Sequence, residues 1–348
     1  MRILITGAQG FVGHYLTSVV LRRRPDAEVL GLGRSPRLDS YFSHHVTVHR
    51  SRVRARVPDR FRVCDDRRYQ YERVDLDATP ALRKIVDRFQ PNSVVHLASG
   101  LRGDNWRTLV HTNVTGTISL LTALGQTCRR PPAVVLGSTG GVYGAIASED
   151  LPAVEAAPLN PTDIYSVTKL AAEQVGRVLC SEYGMRYVAA RMFNILGPGQ
   201  SERHVCGRLA STVAEAATSS NKTLRAGCLT STRDYVDVRD VASALIVLAE
   251  SGTGPYNVAS GVETSTETVL KLLSRHAGLE RHLQVQPTEH VLPGVPRHAG
   301  RVECLASLGY APAFTLEKSL QDVLDYYTEY SRARTSFIGG TCDAVPKR

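Results

Sequence analysis

The chain has 348 residues, 43% of them hydrophobic, which is enough to bury a large core in one α/β unit or in two interlocked domains. The formal net charge is +9, but the sequence lacks the aromatic interleaving of nucleic-acid binders, so the charge favours an enzyme with anionic ligands. No apolar run approaches the ~20 residues of a membrane span, and because the sequence opens with a predicted strand we expect no signal peptide. The seven Cys form no CxxC pair, which predicts a protein of the reducing cytoplasm.

The first element is a predicted buried strand at residues 2–5, followed by Gly7, Gly10 and Gly13 and then by a segment with helical spacing. In this context the first glycine permits a tight turn and the second lets the backbone approach a pyrophosphate. The third lets the helix pack close to the strand, and the start of the helix attracts phosphates. A glycine turn also occurs without a nucleotide, but the order strand, turn, helix favours a dinucleotide site.

A second strand at residues 28–33 ends beside Arg34 and Arg37. An acidic residue at this place bonds the ribose of NAD, whereas an arginine accommodates the 2′-phosphate of NADP. We therefore expect NADP(H) as the preferred cofactor and NAD(H) as the alternative. The competing interpretation is that both arginines are solvated loop residues.

Residues 38–72 are rich in arginine. Arg50, Arg52, Arg54 and Arg56 alternate with other residues, so a strand here would place four like charges on one face. Because like charges repel, we expect a solvated and partly mobile insertion. Contact with phosphate or with a neighbouring subunit is the alternative.

Strands and helices then alternate, which predicts a Rossmann-type doubly wound parallel sheet covered on both faces. The further strands are expected at 71–76, 93–98, 133–137 and 186–192, and the helices at 80–89, 106–128 and 164–183. Beyond residue 193 we expect helices at 205–217, 241–250, 263–276 and 316–330, with short strands at 223–225 and 256–259. We expect a dinucleotide-binding domain at 1–193 joined by 229–260, a smaller substrate-binding domain at 194–332, and a disordered tail at 333–348.

Tyr165 and Lys169 are four residues apart and share one face of a predicted helix. An ammonium one turn away, joined by an oxidised nicotinamide, favours the phenolate, so the tyrosine can exchange a proton with a substrate oxygen. Ser138 and Thr139 end the fifth strand, where ligands bind in open parallel sheets. Either hydroxyl can bond the same oxygen, although Ser138 can equally be a local cap.

In these residues the chain resembles the extended short-chain dehydrogenase/reductase family, and in particular its nucleotide-sugar branch. The motifs that carry the resemblance extend over residues 1–330: Thr6–Gly13, Asp75-Leu76, His96–Ala98, Asn113 before Gly116, Ser138-Thr139, Tyr165 with Lys169, Arg191–Asn194, Gly197–Gln200 and Arg233–Val241.

The resemblance implies that Thr139, Tyr165 and Lys169 are the catalytic set, with Asn113 supporting the lysine through water. Together with Arg34, Tyr165 and Lys169, it implies cofactor contacts from Gly7, Gln9, Gly10, Phe11, Val12, Gly13, Asp75, Leu76, Leu97, Ala98, Ser99 and Asn113. Substrate contacts are implied for Ser138, Thr139, Asn194 and Arg233. It also implies a homodimer formed through the helices near 106–128 and 163–183. We expect no metal, no nucleic acid and no membrane partner.

Two glycines narrow the reaction. Sugar 4,6-dehydratases of the family resemble one another in an acidic residue after the catalytic threonine, where this chain has Gly140 and Gly141. The carboxyl-terminal half looks most like the GDP-6-deoxy-4-ketohexose reductases and their GDP-mannose dehydratase relatives. We therefore expect an NAD(P)-dependent 4-ketoreductase of a nucleotide-linked, GDP-type 4-keto-6-deoxyhexose. The alternatives are a 4-epimerase that retains NAD, a dehydratase, and a non-catalytic dinucleotide sensor.

Several other polar residues are expected to play structural roles. Glu173, Asp237 and Asp240 are interpreted as solvated or capping carboxylates. His96, beside an apolar strand, is expected to be packed rather than to bind a ligand.

Overall fold

The structure is a computed structural model, and it describes residues 1–36, 38–48, 51–219, 222–282, 284–287 and 295–338. Arg37 and Arg50, both singled out in the sequence, lie outside the described residues. Within these ranges, no helix is both long and apolar enough to cross a bilayer.

The secondary structure follows the alternating pattern of the sequence. The strands are β1 Arg2–Thr6, β2 Glu28–Gly33, β3 Tyr41–Val48, β4 Ser51–Arg56, β5 Tyr69–Arg73, β6 Ser93–His96, β7 Ala133–Thr139, β8 Arg186–Met192, β9 Asn194–Leu196, β10 Thr223–Ala226, β11 Thr232–Asp237, β12 Gly254–Val258, β13 Glu263–Ser265 and β14 Gln284–Pro287. The helices are α1 Phe11–Arg23, α2 Thr79–Phe89, α3 Trp106–Val110, α4 Gly116–Thr127, α5 Ile164–Glu182, α6 Val205–Thr218, α7 Val238–Ser251, α8 Thr266–His276, α9 Glu303–Ala306 and α10 Leu316–Ile338.

Seven strands form one parallel sheet in the order β12-β8-β7-β6-β1-β2-β5. Its central strands are buried, because their Val, Leu and Ile side chains are covered on both faces. One apolar cluster joins the sheet to α1 and α7, and a second joins it to α2, α4 and α5. The strand order reverses direction beside β1, so the carboxyl ends of β1 and β6 flank the crevice where such sheets bind ligands. The predicted doubly wound Rossmann-type fold is confirmed.

The expected helix at 106–128 is present but contains a different kind of turn. Between α3 and α4, residues His111–Thr115 form a π-helical segment. Helices with such a segment have one wide turn, and these turns are frequent at functional sites. The segment contains Asn113, whose side chain is buried.

The arginine-rich insertion is folded, which corrects the expectation of a solvated, partly mobile segment. Strands β3 and β4 form an antiparallel hairpin that packs against α1, α6 and α10. Phe42, Val46 and Ala55 are fully buried on one face of the hairpin. Arg54 forms an ion pair with Asp39 at 2.6 Å, so neutralisation relieves part of the expected repulsion.

The region after residue 193 surrounds the carboxyl end of the large sheet. Strands β13, β11 and β9 form a three-stranded sheet, and β10 pairs with β14. The described residues around Pro296 and His298 lie beside β11, through bonds from Thr232 N to Pro296 O and from Asp234 N to His298 O. β12 belongs to the large sheet, although residues on either side of it in sequence do not. The proposed division into two domains stays a prediction.

The last helix is longer than the sequence indicated. It runs from Leu316 to Ile338, so residues 333–338 of the expected disordered tail are helical. The rest of that tail, residues 339–348, lies outside the described residues.

Candidate active site

The glycine turn between β1 and α1 has the close backbone contacts that a dinucleotide site requires. Gly7 has φ +66°, and a Cβ there would lie 2.8 Å from Ala98 N. A Cβ on Gly13 would lie 2.3 Å from Gly7 O, so only glycine lets the helix start this close to the turn. Helix α1 begins at Phe11, and the first N–H groups of a helix have no partner within it. This cradle fits a pyrophosphate.

The next two strand ends extend this site along the sheet. Arg34 follows β2 and is exposed, and no hydrogen bond or ion pair holds its guanidinium within the described residues. Asp75 and Leu76 follow β5, the strand that pairs with β2. Asp75 is exposed, whereas Leu76 packs beside Gly116. The arrangement fits an adenosine ribose and its 2′-phosphate at this end.

Tyr165 and Lys169 lie one turn apart near the start of α5, as predicted. Asp163 caps this helix by accepting a hydrogen bond from Ser166 N at 3.0 Å. The side chain of Lys169 is 4% exposed, and its ammonium has no hydrogen-bond partner among the described residues. Burial lowers the pKa of Lys169 to about 8, although Glu173 opposes the shift. The ammonium therefore remains available to a ligand that offers hydroxyl acceptors.

The phenol of Tyr165 is partly buried, and its proton is held more tightly than the sequence suggested. Burial raises the pKa of Tyr165, while Arg102 and a hydrogen bond with Ser99 lower it. Ser99 follows β6, the strand that pairs directly with β1, and neighbouring strands are about 4.8 Å apart. The phenol is therefore beside the strand end that carries the glycine turn.

Asn113 ties the loop after β6 to α5. Its Oδ1 accepts hydrogen bonds from Gly100 N at 2.8 Å and Ser99 Oγ at 2.9 Å. Its Nδ2 donates to Thr168 Oγ1 at 2.9 Å, next to Lys169 in sequence. The amide thus connects the loop after β6 to α5, and the expected link to the lysine through water stays a prediction.

Thr139 and Ser138 end β7 but serve different surroundings. Thr139 is partly exposed, and its Oγ1 accepts a hydrogen bond from Gly141 N at 3.1 Å, which leaves its own proton to donate. Ser138 is 2% exposed and donates its proton to the carboxylate of Glu173. Its proton is thus used inside the protein, as the alternative interpretation of Ser138 as a local cap expects, and a contact with substrate stays a prediction.

Glu173 is not solvated, contrary to one of the two expectations for it. Its carboxylate forms a buried ion pair with Arg191, whose Nη2 lies 2.9 Å from Oε2. Arg191 also donates to Tyr143 OH at 3.0 Å, and that hydroxyl donates to Asn257 Oδ1 at 2.7 Å. A buried pair of this kind is expensive to break, so it fixes α5, which carries Tyr165 and Lys169, against β8.

Three other residues behave as expected or close to it. Asp237 caps α7 by accepting from Arg239 N at 2.8 Å, and Asp240 accepts from the N–H groups of Ala313 and Phe314, but both carboxylates are buried rather than solvated. His96 is packed in the core, and burial lowers its pKa to about 3.

Two arginines beyond these residues, Arg233 and Arg102, are close enough to interact electrostatically. Arg233 is on β11, and burial lowers its pKa. Asn194 starts β9 and pairs with Tyr235, two residues from Arg233. Arg102 lies across Tyr165, with its Cζ 5.8 Å from the ring centroid and its Nη2 2.8 Å from Asp163 Oδ2. Arginine forks of this kind bind phosphate oxygens well.

Comparison with known proteins identifies the family. The model of the NAD dependent epimerase/dehydratase family matches residues 3–259, which contain the glycine turn and the Thr139, Tyr165 and Lys169 set. The chain belongs to this family. The expected resemblance to extended short-chain dehydrogenases/reductases of nucleotide sugars is thus confirmed, and so is the expectation of an enzyme.

Relatives in this epimerase/dehydratase family differ in their reactions. The chain is 33% identical over 248 residues to GDP-6-deoxy-D-mannose reductase of Pseudomonas aeruginosa, covering 67% of this chain and 79% of the relative. It is 27% identical to UDP-glucuronate 4-epimerase 1 of Arabidopsis thaliana, covering 94% of this chain and 77% of that one. It is 24% identical to a dTDP-glucose 4,6-dehydratase of Neisseria meningitidis, with 94% and 93% covered.

Solved structures give the same fold. An NADPH complex of the protein RMD from Pseudomonas aeruginosa superposes with a TM-score of 0.77 at 26% identity, covering 94% of this chain and 99% of that chain. An NAD complex of UDP-glucose 4-epimerase from Thermus thermophilus gives 0.76 at 26% identity, with 94% and 99% covered.

The sequence interpretation missed Arg102, which has no motif around it, and the pairing of Glu173 with Arg191 across α5 and β8. Arg191 belongs to one of the motifs and Glu173 has i+4 spacing from Lys169, but neither signal indicates that the two residues pair. The structure also brings together exposed Asp75, Asp77 and His111, with ligand atoms within 4.8 Å, but nothing else there indicates an ion.

Proposed function

We propose that this protein is an NADP(H)-dependent reductase of the 4-keto group of a nucleotide-linked 4-keto-6-deoxyhexose, with GDP as the favoured nucleotide. The observation that supports the proposal is the placement of Thr139 at the end of β7 and of Tyr165 and Lys169 near the start of α5, the helix that packs on β7. The charged forks of Arg233 and Arg102 in the same cleft suit the diphosphate of such a substrate. The 33% identity to GDP-6-deoxy-D-mannose reductase supports the same assignment.

The bound nicotinamide would supply hydride to the sugar carbonyl carbon. Thr139 would donate its free proton in a hydrogen bond to the carbonyl oxygen and polarise it. Tyr165 would protonate that oxygen, a role that suits a buried phenol whose pKa is raised. Lys169 would bond the ribose hydroxyls and stabilise the phenolate left after the proton transfer.

Arg34 supports NADP(H) over NAD(H). Its guanidinium has no ion-pair partner within the described residues, so it can form an ion pair with the 2′-phosphate of NADP(H). The RMD structure similar to this chain holds NADPH, whereas the similar Thermus thermophilus structure holds NAD. A reductase consumes its reduced cofactor and replaces it in each turnover, and NADP(H) fits that use.

The test measures loss of absorbance at 340 nm with NADPH, and separately with NADH, over a panel of GDP-, UDP- and dTDP-linked 4-keto-6-deoxyhexoses. We expect stoichiometric NADPH oxidation with at least one sugar and a slower reaction with NADH. Tyr165→Phe should lose about 10²–10⁴-fold in kcat. The matched control is Tyr183→Phe, at the far end of the same helix. No oxidation with any sugar of the panel would refute the reductase.

A 4-epimerase is the second candidate, and one observation favours it. The similarity to UDP-glucuronate 4-epimerase 1 extends over 94% of this chain, against 67% for the reductase. An epimerase would use the same three residues but would return the hydride to the sugar. It should therefore copurify with NAD and interconvert UDP-sugars without net change at 340 nm.

We also propose that the protein is a cytoplasmic homodimer. The six cysteines among the described residues are all free, as in a reducing compartment. Helices α4 and α5 expose apolar side chains on adjoining outer faces, which suits a four-helix contact with a second copy.

A further inference from the structure

A buried histidine from the carboxyl-terminal region reaches the reactive end of β7. His298 is 9% exposed, and its Nε2 lies 3.0 Å from the carbonyl oxygen of Gly140, the residue after Thr139. Its ring packs on Phe193 at the end of β8, with 4.6 Å between centroids and 30° between planes. His298 therefore lies against the residue that follows Thr139, without belonging to any motif that the sequence showed.

The surroundings fix the protonation of this imidazole. A carbonyl oxygen can only accept, so Nε2 must carry the proton and Nδ1 must present a lone pair. Burial lowers the pKa of His298 to about 4, helped by Arg233 and Arg102 and opposed by the bond to Gly140 and by Glu263. The ring is thus neutral at physiological pH, and Nδ1 is a fixed acceptor.

Nδ1 also has access to a ligand. It has no hydrogen-bond partner among the described residues, and it is not completely sealed from solvent. A buried acceptor that keeps an opening toward solvent, between a catalytic strand end and Arg233, is suited to receive a hydroxyl proton.

Gly140 makes room for this histidine. A Cβ on Gly140 would lie 2.8 Å from His298 Cε1 and 2.9 Å from the ring of Phe193. Any side chain at position 140 would therefore displace the imidazole or the phenyl ring. Gly140 thus leaves the space that the His298 ring occupies, and His298 supplies the polar group beside Thr139.

We propose that His298 is a substrate-specificity residue that accepts a hydrogen bond from the 3-hydroxyl of the sugar through Nδ1. This inference rests on the proposed function. A 4-keto-6-deoxyhexose that is linked to a nucleotide at C1 has hydroxyls only at C2 and C3. Thr139 and Tyr165 engage the oxygen at C4, so the neighbouring residue meets the substituent at C3.

The experiment compares wild type with His298→Gln and His298→Asn, using the nucleotide 4-keto-6-deoxyhexose that wild type reduces fastest and its 3-deoxy analogue. Glutamine can keep an N–H for Gly140 O but lacks the acceptor at Nδ1, whereas asparagine places its oxygen near Nδ1. The matched control is exposed His282→Gln. KM for the sugar, kcat, KM for NADPH and the melting temperature are measured for each protein.

We expect His298→Gln to raise KM for the full sugar about tenfold, with kcat and KM for NADPH nearly unchanged. On the 3-deoxy analogue the same substitution should change nothing, because the hydrogen bond is already absent. His298→Asn should keep most of the preference for the 3-hydroxyl.

Two results would overturn this inference and leave the proposed function intact. In the first, wild type is active and His298→Gln has the same KM for the full sugar. In the second, His298→Gln raises KM by the same factor for the full sugar and for the 3-deoxy analogue. If His298→Gln has a lower melting temperature than wild type, His298→Asn decides the question. The inference holds if this variant keeps the preference for the full sugar over the 3-deoxy analogue, and it is overturned if the preference is lost. A wild type that oxidises NADPH with no sugar of the panel would remove the proposed function as well.

Discussion

The proton on Tyr165 is controlled by a balance between burial and one nearby cation. Burial favours the neutral phenol, and Arg102, 5.8 Å from the ring centroid, favours the phenolate. Because reduction needs a phenol that still carries its proton, activity should be lost as pH rises through the pKa of Tyr165.

Arg102→Met should raise the pKa of Tyr165 and move this loss of activity to higher pH. We expect a displacement of about half a pH unit, since Arg102 is largely exposed and solvent screens its charge. The measurement is the pH profile of kcat/KM for reduction, with Arg102→Lys as the control that keeps the charge. A profile that only falls in height, with its inflection unmoved, would mean that Arg102 binds substrate and does not tune the phenol.

Residues of the site were predictable where local geometry brings them together. Tyr165 and Lys169 needed only a helix, and Thr139 needed only a strand that ends at the crevice. Arg102 and His298 were not predictable, because each lies in a loop far along the chain from the residue it contacts and no local period marks a loop. The partner of Ser138 was not predictable for the same reason, because Glu173 is on another element.

At the level of elements, the repeating apolar patterns located the strands and helices of the large sheet well. They failed where a short element is stabilised by distant packing. The π-helical turn at His111–Thr115 has no separate sequence period, and its hydrogen bonds to α5 are long-range. The hairpin of β3 and β4 was not predicted, because its arginines indicated a solvated segment. The apolar residues Phe42 and Val46, which lie on one face, were the signal for a buried strand.

The hairpin is predicted to support the glycine turn. Ser43 N donates to Gln9 O at 2.8 Å, and the Phe42 ring lies 5.8 Å from Phe11, the first residue of α1. Phe42→Ala should lower the free energy of unfolding by about 3–5 kcal/mol, because Phe42 is fully buried. It should also weaken NADPH binding. Urea denaturation and fluorescence titration with NADPH measure the two effects.

The control for this prediction is Arg52→Ala, an exposed residue of the same hairpin. Its unfolding free energy should stay within about 0.5 kcal/mol of wild type. If Phe42→Ala is equally mild, the hairpin is a loosely attached insertion, as the arginine pattern alone suggested.

For the whole molecule, the exposed apolar side chains on the outer faces of α4 and α5 bear most directly on its assembly. Ile118 is 40% exposed and Val178 is 54% exposed, and both line a shallow cavity of about 400 Å³ between the two helices. Exposed apolar patches of this kind mark interaction surfaces. Because α5 also carries Tyr165 and Lys169, a second copy packed here would restrain the helix that holds both predicted catalytic residues.

The combined variant Ile118→Asp and Val178→Asp should therefore be monomeric at micromolar concentration, whereas wild type should be a dimer by light scattering after size exclusion. Charges placed at an apolar contact lose their hydration when it forms, so dimerisation is strongly disfavoured. Both side chains are already exposed in the monomer, so its secondary structure should persist. Val262→Asp, 61% exposed and far from these helices in sequence, should remain dimeric. A wild type that is monomeric, or a double variant that stays dimeric, would exclude this face as the subunit contact.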